Sequence, residues 1–112
     1  PTNINRQILA LESTLGRSKV AAAADRISDI NPSCKVEPLE LFIDDSTVEE
    51  IFSRSPDIIV DAIDSMNPKV QLLRACYLSG IPTLSSMGAA LRKDPLAIRV
   101  GDLSESNHCP RN

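Results

Sequence analysis

Ile58-Ile59-Val60-Asp61-Ala62-Ile63-Asp64 is the stretch that decides the fold. Apolar residues run through it with only Asp61 intervening, over the length of one strand, which is the pattern of a parallel strand covered on both faces. This strand is expected at the centre of a sheet. Asp64 then falls at its carboxyl end, where open α/β sheets place their ligands. Asp61 lies inside the strand, where a carboxylate is costly to bury without a partner. It either assists a site or pairs with a neighbouring side chain.

Downstream, Asn67-Pro68 has the form of a helix entry, an amide cap followed by proline at the first helical position. Val70, Leu72, Leu73, Ala75, Cys76 and Leu78 fill the helix, which Gly80 ends. A second strand is expected over Ile81–Ser86, turns at Met87-Gly88-Ala89-Ala90 and Asp94-Pro95, and a last strand over Ile98–Leu103. Upstream, Asp44-Asp45-Ser46 offers cap chemistry to a short helix carrying Val48, Ile51 and Phe52 and stopping before Pro56. Val36–Ile43 has the apolar content and length of a strand, although Pro38 argues for an edge position or a late start. Ser18 caps a longer helix in which Val20, Ala23, Ala24, Ile27 and Ile30 recur at helical spacing, with Asp25, Arg26 and Asp29 toward water and Asn31-Pro32 as the stop. A brief helix from Arg6 to Leu15, closed by Gly16, precedes it. Helices and strands alternate without repeats, so the expected class is α/β: a Rossmann-like, mostly parallel sheet with flanking helices and right-handed crossovers.

With 112 residues, 42% of them hydrophobic, the chain supports one small domain that buries about two thirds of its unfolded surface. A net charge of −3 and a pI near 5.0 exclude the broad basic footprint of a protein that grips nucleic acid through its phosphates. Any RNA contact would come from a local patch or from another chain. Cys34, Cys76 and Cys109 are odd in number and widely spaced, which suggests neither a disulfide framework nor a CxxC zinc clasp and fits a reducing cytosol. No apolar run approaches the roughly 20 residues that span a bilayer. The expectation is a soluble, cytoplasmic protein with no membrane contact. Pro1 and the run His108-Cys109-Pro110-Arg111-Asn112 read as cut ends.

The richest chemistry lies in Asn3-Ile4-Asn5-Arg6-Gln7, in Lys19 twelve residues later, and in Asp64. Arginine offers a planar fork of donors to phosphate oxygens, lysine a point charge, amides neutral donors, and a carboxylate at a strand end can hold a hard cation. Asn3, Arg6 and Gln7 stand at i, i+3 and i+4, so in a helix they project toward one target. Plainer roles stay open for each: Asn3 or Asn5 as a helix cap with Arg6 and Gln7 solvated, Lys19 as a surface lysine, Asp64 as a turn cap. His108 beside Cys109 is a weak signal for a nucleophile or metal pair, since no further ligands stand nearby. Cys34 and Cys76 read as filler.

These residues carry a resemblance. The Asn-x-x-Arg-Gln run, the lysine beyond it, Ile30-Asn31-Pro32 after the long helix and Asp61-x-x-Asp64 at the strand end occur in this order in the ATP-dependent adenylyltransferase family of ubiquitin-activating enzymes and bacterial sulfur-carrier activators. The chain resembles that family over nearly its whole length. The resemblance implies that Asn3, Arg6, Gln7 and Lys19 bind the phosphates of ATP, that Asp64 holds Mg2+, and that Arg6, Lys19 and Asp64 are catalytic. It also implies that residues 1–112 form part of one adenylyltransferase domain, incomplete at both ends.

Within the family, Val60-Asp61-Ala62-Ile63-Asp64-Ser65, Ser85-Ser86-Met87-Gly88-Ala89, the tail of Asp94-Pro95, Ile98-Arg99-Val100 and Asp102-Leu103, and Cys109-Pro110 look like the tRNA threonylcarbamoyladenosine dehydratases. Other activators usually carry Asp-Asn where Asp64-Ser65 stand, and the bacterial ones often have paired CxxC ligands. The implied reaction adenylates the threonyl carboxylate of the modified adenosine and closes it into a ring. The implied partners are tRNA and a second copy in a homodimer; a sulfur-relay protein stays open as another, with any sulfur or redox step of Cys109. Family members begin with a strand, a glycine-rich loop, a helix and a strand ending in an acidic ribose-binding residue, and an arginine crosses their dimer interface. This chain shows none of these, so by itself it is expected to bind ATP poorly or not at all. An activator of a sulfur-carrier or ubiquitin-like protein and a non-catalytic fragment remain as alternatives. A nicotinamide dehydrogenase is disfavoured because the glycine fingerprint is absent.

Overall fold

The computed structural model describes Ile8, residues 18–88 and residues 93–105. The chain divides into two compact units, residues 1–41 and 42–112.

In the first unit, helix α1 spans Lys19–Ile30. Ser18, extended, starts it: its Oγ accepts from the Ala21 N–H at 3.2 Å, satisfying one of the donors that a first helical turn leaves open. Asn31 stops it, also extended, and its Oδ1 accepts from the N–H and hydroxyl of Ser33 to turn the chain. Asp25, Arg26 and Asp29 are exposed, as the spacing predicts. The apolar stripe is less covered than its pattern suggests, for only Ala22 is buried and Ile30 is 71% exposed. The helix expected over residues 6–15 lies outside the described residues.

The strand expected over Val36–Ile43 does not form. Pro38 has no N–H to give a ladder, and the only ladder among the described residues runs between two other segments. Without paired backbone groups, apolar content alone does not make a strand.

The second unit opens with α2, Asp45–Phe52, under a capping box. Asp44 Oδ1 accepts from the N–H groups of Ser46 and Thr47, both at 2.9 Å, while the Thr47 hydroxyl accepts from the Asp44 N–H at 2.9 Å. The expected cap at Asp44 is therefore present. Strand β1, Ile59–Asp61, pairs in parallel with β2, Thr83–Ser85, in the register Ile59 to Thr83, Val60 to Leu84 and Asp61 to Ser85. Helix α3, Met66–Ser79, is the connection between them. Gly80 ends α3 in the left-handed region at φ 71°, and the Ile81 N–H returns to the Cys76 carbonyl at 3.2 Å. Glycine meets that φ without steric cost, and the following strand can begin at once. Val48, Ile59, Leu72 and Cys76 form the core, ringed by Ile43, Phe52, Ile63, Ala75 and Ile81.

Three further expectations change. The cap of α3 is Ser65 rather than Asn67, which leaves Asn67 and Pro68 as the second and third helical residues; proline is tolerated there because first-turn N–H groups have no intrahelical acceptor. β1 is covered on one face only: Ile59 and Asp61 are buried, but Val60 is 70% exposed beside Leu84 at 61%. The strand expected over Ile98–Leu103 is replaced by irregular chain between two single turns of 3-10 helix, Pro95–Ala97 and Leu103–Glu105. Asp94 and Asp102 draw those turns in, each accepting from the N–H two residues on at 2.9 Å. Such local bonds compete with a ladder.

Candidate nucleotide site at the end of the parallel strands

β1 and β2 end side by side, so their registered last residues, Asp61 and Ser85, stand together at the carboxyl edge of the sheet. Asp61 is 1% exposed and Lys69, from the second turn of α3, is 2% exposed. Lys69 Nζ donates to Asp61 Oδ2 at 2.6 Å, to the Ser86 carbonyl at 2.9 Å and to Ser85 Oγ at 3.3 Å. Ser85 Oγ in turn donates to Asp61 Oδ2 at 2.6 Å, and Asp61 Oδ1 accepts from the Ile63 N–H at 2.8 Å. The three ammonium donors and both carboxylate oxygens are thus occupied, the condition under which buried charges are tolerated.

Burial by itself pushes the Asp61 carboxyl up, toward its neutral form. The hydrogen bonds from Lys69, Ser85 and the Ile63 N–H, together with the Lys69 charge, outweigh it and hold the carboxyl below its usual range. Stripping water from two ions costs several kcal/mol per ion, so a pair of this kind often adds little net stability over apolar residues of the same size, while removing one partner is costly. What the cluster secures is the position of three chain segments.

Asp64 is exposed in the turn from β1 into α3, immediately before the cap residue Ser65. Ser65 makes no side-chain cap bond, so the opening turn of α3 presents N–H groups and the positive end of the helix dipole beside that carboxylate. A groove of about 530 Å³ lies along the starts of α2 and α3, with Phe42, Asp44, Ser65, Asn67 and Gln71 among its walls. The Gln71 Oε1 is buried and has no hydrogen-bond partner among the described residues. Asp44 is held below the usual carboxylate range by the Ser46 hydroxyl first and by the N–H groups of Thr47 and Ser46. No cluster of three or more His, Cys, Asp or Glu able to hold a metal by itself occurs among the described residues. One carboxylate at the end of a parallel strand–helix turn, such as Asp64, suits Mg2+, which keeps several waters and is commonly shared between one or two carboxylates and substrate phosphates.

Of the residues singled out from the sequence, Lys19 is the exposed first residue of α1 and Asp64 the exposed turn residue just described. Asn3, Arg6 and Gln7 lie outside the described residues, as do His108 and Cys109. Of the two cysteines read as filler, Cys76 is core and Cys34 is exposed; both are free thiols. Asp61 pairs with a neighbour, one of the two roles left open for it. Sequence reasoning missed that neighbour. The signal was present in the spacing, since Lys69 stands at i−3 and i−7 from Leu72 and Cys76 and so shares their buried stripe.

A parallel strand–helix–strand unit that carries aspartates at its carboxyl edge is the frame of a nucleotide-binding α/β protein, and the chain, which matches the ThiF family over residues 1–111, belongs to that family. It is 41% identical to the tRNA threonylcarbamoyladenosine dehydratase of Bacillus subtilis over 97% of this chain and 43% of that protein. It is 30% identical to the molybdopterin-synthase adenylyltransferase of Escherichia coli over 83% of this chain and 36% of that one. Among solved structures, the tRNA N6-threonylcarbamoyladenosine dehydratase of Escherichia coli in complex with ATP superposes with a TM-score of 0.91 at 38% identity, over 97% of this chain and 45% of that chain. The fold is accordingly Rossmann-like α/β. The chain spans less than half the length of these relatives. No helix among the described residues is long and apolar enough to cross a membrane.

Proposed function

We propose that residues 1–112 form part of the adenylyltransferase domain of an ATP-dependent tRNA threonylcarbamoyladenosine dehydratase, acting on tRNA in the cytoplasm as a homodimer. The observation that carries this reading is the 41% identity to the Bacillus subtilis dehydratase across nearly the whole chain, against 30% to the molybdopterin-synthase adenylyltransferase. Asn3, Arg6, Gln7 and Lys19 supply donors to the triphosphate, and Asp64 is the residue to hold Mg2+. The threonyl carboxylate attacks the α-phosphate; the bond to pyrophosphate breaks and an acyl-adenylate forms. A nitrogen of the same modified base then attacks the activated carbonyl, expelling AMP and closing the ring. Negative charge builds on the departing pyrophosphate, where Arg6 and Lys19 stabilise it, a matter of fixed position and fixed charge rather than covalent chemistry. Magnesium, when bound, neutralises part of that charge. A sulfur-relay protein is a further candidate partner.

The test is a graft in which residues 1–112 replace the matching segment of the Bacillus subtilis dehydratase. AMP release that depends on modified tRNA is expected to persist, and Asp64→Asn in the graft is expected to lower it by about 100-fold or more, the scale of one lost transition-state electrostatic contact. Release that responds to a sulfur-carrier protein and not to tRNA would reverse the reading in favour of a carrier-protein activator. The 112-residue chain alone, whose four glycines form no Gly-x-Gly-x-x-Gly loop, is expected to show no micromolar ATP binding by calorimetry.

A further inference from the structure

We propose that Lys69 is a positioning residue that sets where Asp64 stands, by tying down the chain on both of its sides. The proposal deepens the reading of Asp64 as the magnesium-holding residue and rests on it. On the amino-terminal side, the Lys69 ammonium holds the Asp61 carboxylate at 2.6 Å, and that carboxylate holds the Ile63 N–H at 2.8 Å. On the carboxyl-terminal side, the Lys69 backbone N–H donates to the Ser65 carbonyl at 3.2 Å. Asp64 lies between Ile63 and Ser65, so one lysine, through its side chain and its main chain, anchors the residue before Asp64 and the residue after it. The same ammonium reaches the Ser86 carbonyl at 2.9 Å, and the Ser86 N–H bonds the Asp61 carbonyl at 2.8 Å. The turn bearing Asp64 is thereby locked to the end of β2 as well.

Two physical penalties make a merely stabilising role a poor account of this lysine. A cation in the second turn of a helix sits toward the positive end of the helix dipole, and a 2% exposed ammonium has given up its hydration. An apolar side chain on the stripe with Leu72 and Cys76 would avoid both. An ammonium with three acceptors from two strands' ends offers what an apolar residue cannot, a fixed direction for each segment it touches. Outer partners of this kind orient the group that meets the ion without meeting it themselves.

The test uses Lys69→Met together with Asp61→Leu, which removes the pair without stranding a charge, in the full 112-residue chain. Amide hydrogen exchange is expected to accelerate at least ~10-fold at residues 62–64 and 86–88, while the amides of α2 and the middle of α3 keep their rates, the pattern of local rather than global opening. Unchanged exchange at 62–64 would overturn the proposal. In the Bacillus subtilis graft, the same double variant is expected to raise the Mg2+ concentration for half-maximal AMP release about 10-fold or more, with the rate at saturating Mg2+ much less affected. Asp64→Asn in that graft separates the two ideas. If Asp64→Asn raises the Mg2+ requirement and the double variant does not, the positioning role is overturned. If Asp64→Asn leaves the requirement unmoved, the reading of Asp64 fails and the exchange rates alone judge the lysine. Should the double variant not fold, Ser85→Ala, which removes one of the three acceptors, carries the same exchange test with a smaller expected change.

Discussion

Helices α1 and α3, of 12 and 14 residues, treat their charges in opposite ways. α1 keeps Asp25, Arg26 and Asp29 in water and buries a single alanine. α3 leaves Tyr77 and Leu78 in water and buries a lysine with Leu72 and Cys76. The regular apolar spacing belongs to α1, yet the core belongs to α3. What lies opposite a helix, here a buried aspartate at a strand end, decides which of its faces is covered. Periodicity marks the face available for burial and says nothing of the partner that fills it.

The contrast breaks most sharply at the charge pair. Lys69→Met is expected to destabilise the chain by about 3–5 kcal/mol, because it leaves the Asp61 carboxylate buried and uncompensated, whereas adding Asp61→Leu should recover most of that loss. Urea unfolding of the two variants checks it. The same pair shapes the response to acid. Asp61 has its carboxyl lowered from 3.8 in the folded chain, so its contribution is complete above the unfolded value and is lost as the pH falls through the folded one. Stability should therefore drop below about pH 4 in the parent chain. The fall should be shallower in the double variant, with Asp44 and Asp102, also lowered, supplying what remains.

Smaller effects sharpen the difference between the helices. Leu72→Ala in α3 is expected to cost about 3 kcal/mol, as a buried leucine that leaves a cavity. Ser18→Ala in α1 removes the one side-chain cap bond of that helix and is expected to cost about 1 kcal/mol. Ile30→Ala, at a residue 71% exposed, should fall within about 0.5 kcal/mol of the parent. Equal losses for Leu72→Ala and Ile30→Ala by thermal unfolding would contradict the contrast between the two helices.

Much of the frame was legible before any coordinates. Ser18, Asp44 and Gly80 are end signals with a local mechanism, and each does what its chemistry requires. β1 and β2 were found because their apolar runs coincide with a real ladder. Val36–Ile43 and Ile98–Leu103 have similar composition and no ladder, since pairing is settled by distant residues and not by the run itself. The exposure of Val60 has the same origin, for a strand cannot report what covers its far face. At the site, β1 stops at Asp61 and not at Asp64, which stands instead in the exposed turn that follows, because the ladder to β2 ends with the Asp61–Ser85 pair. Lys69 escaped because its role depends on a carboxylate eight residues earlier and a carbonyl seventeen residues later, a meeting that only the folded crossover brings about.

Lys69 also has a chemical consequence. Its amine is sealed while Lys19, Lys35 and Lys93 face solvent, so an amine-directed reagent should modify those three promptly and Lys69 only when β1 and β2 part. The rate at which that one amine becomes labelled is then a built-in clock for the opening of the sheet, readable by mass spectrometry without any substitution.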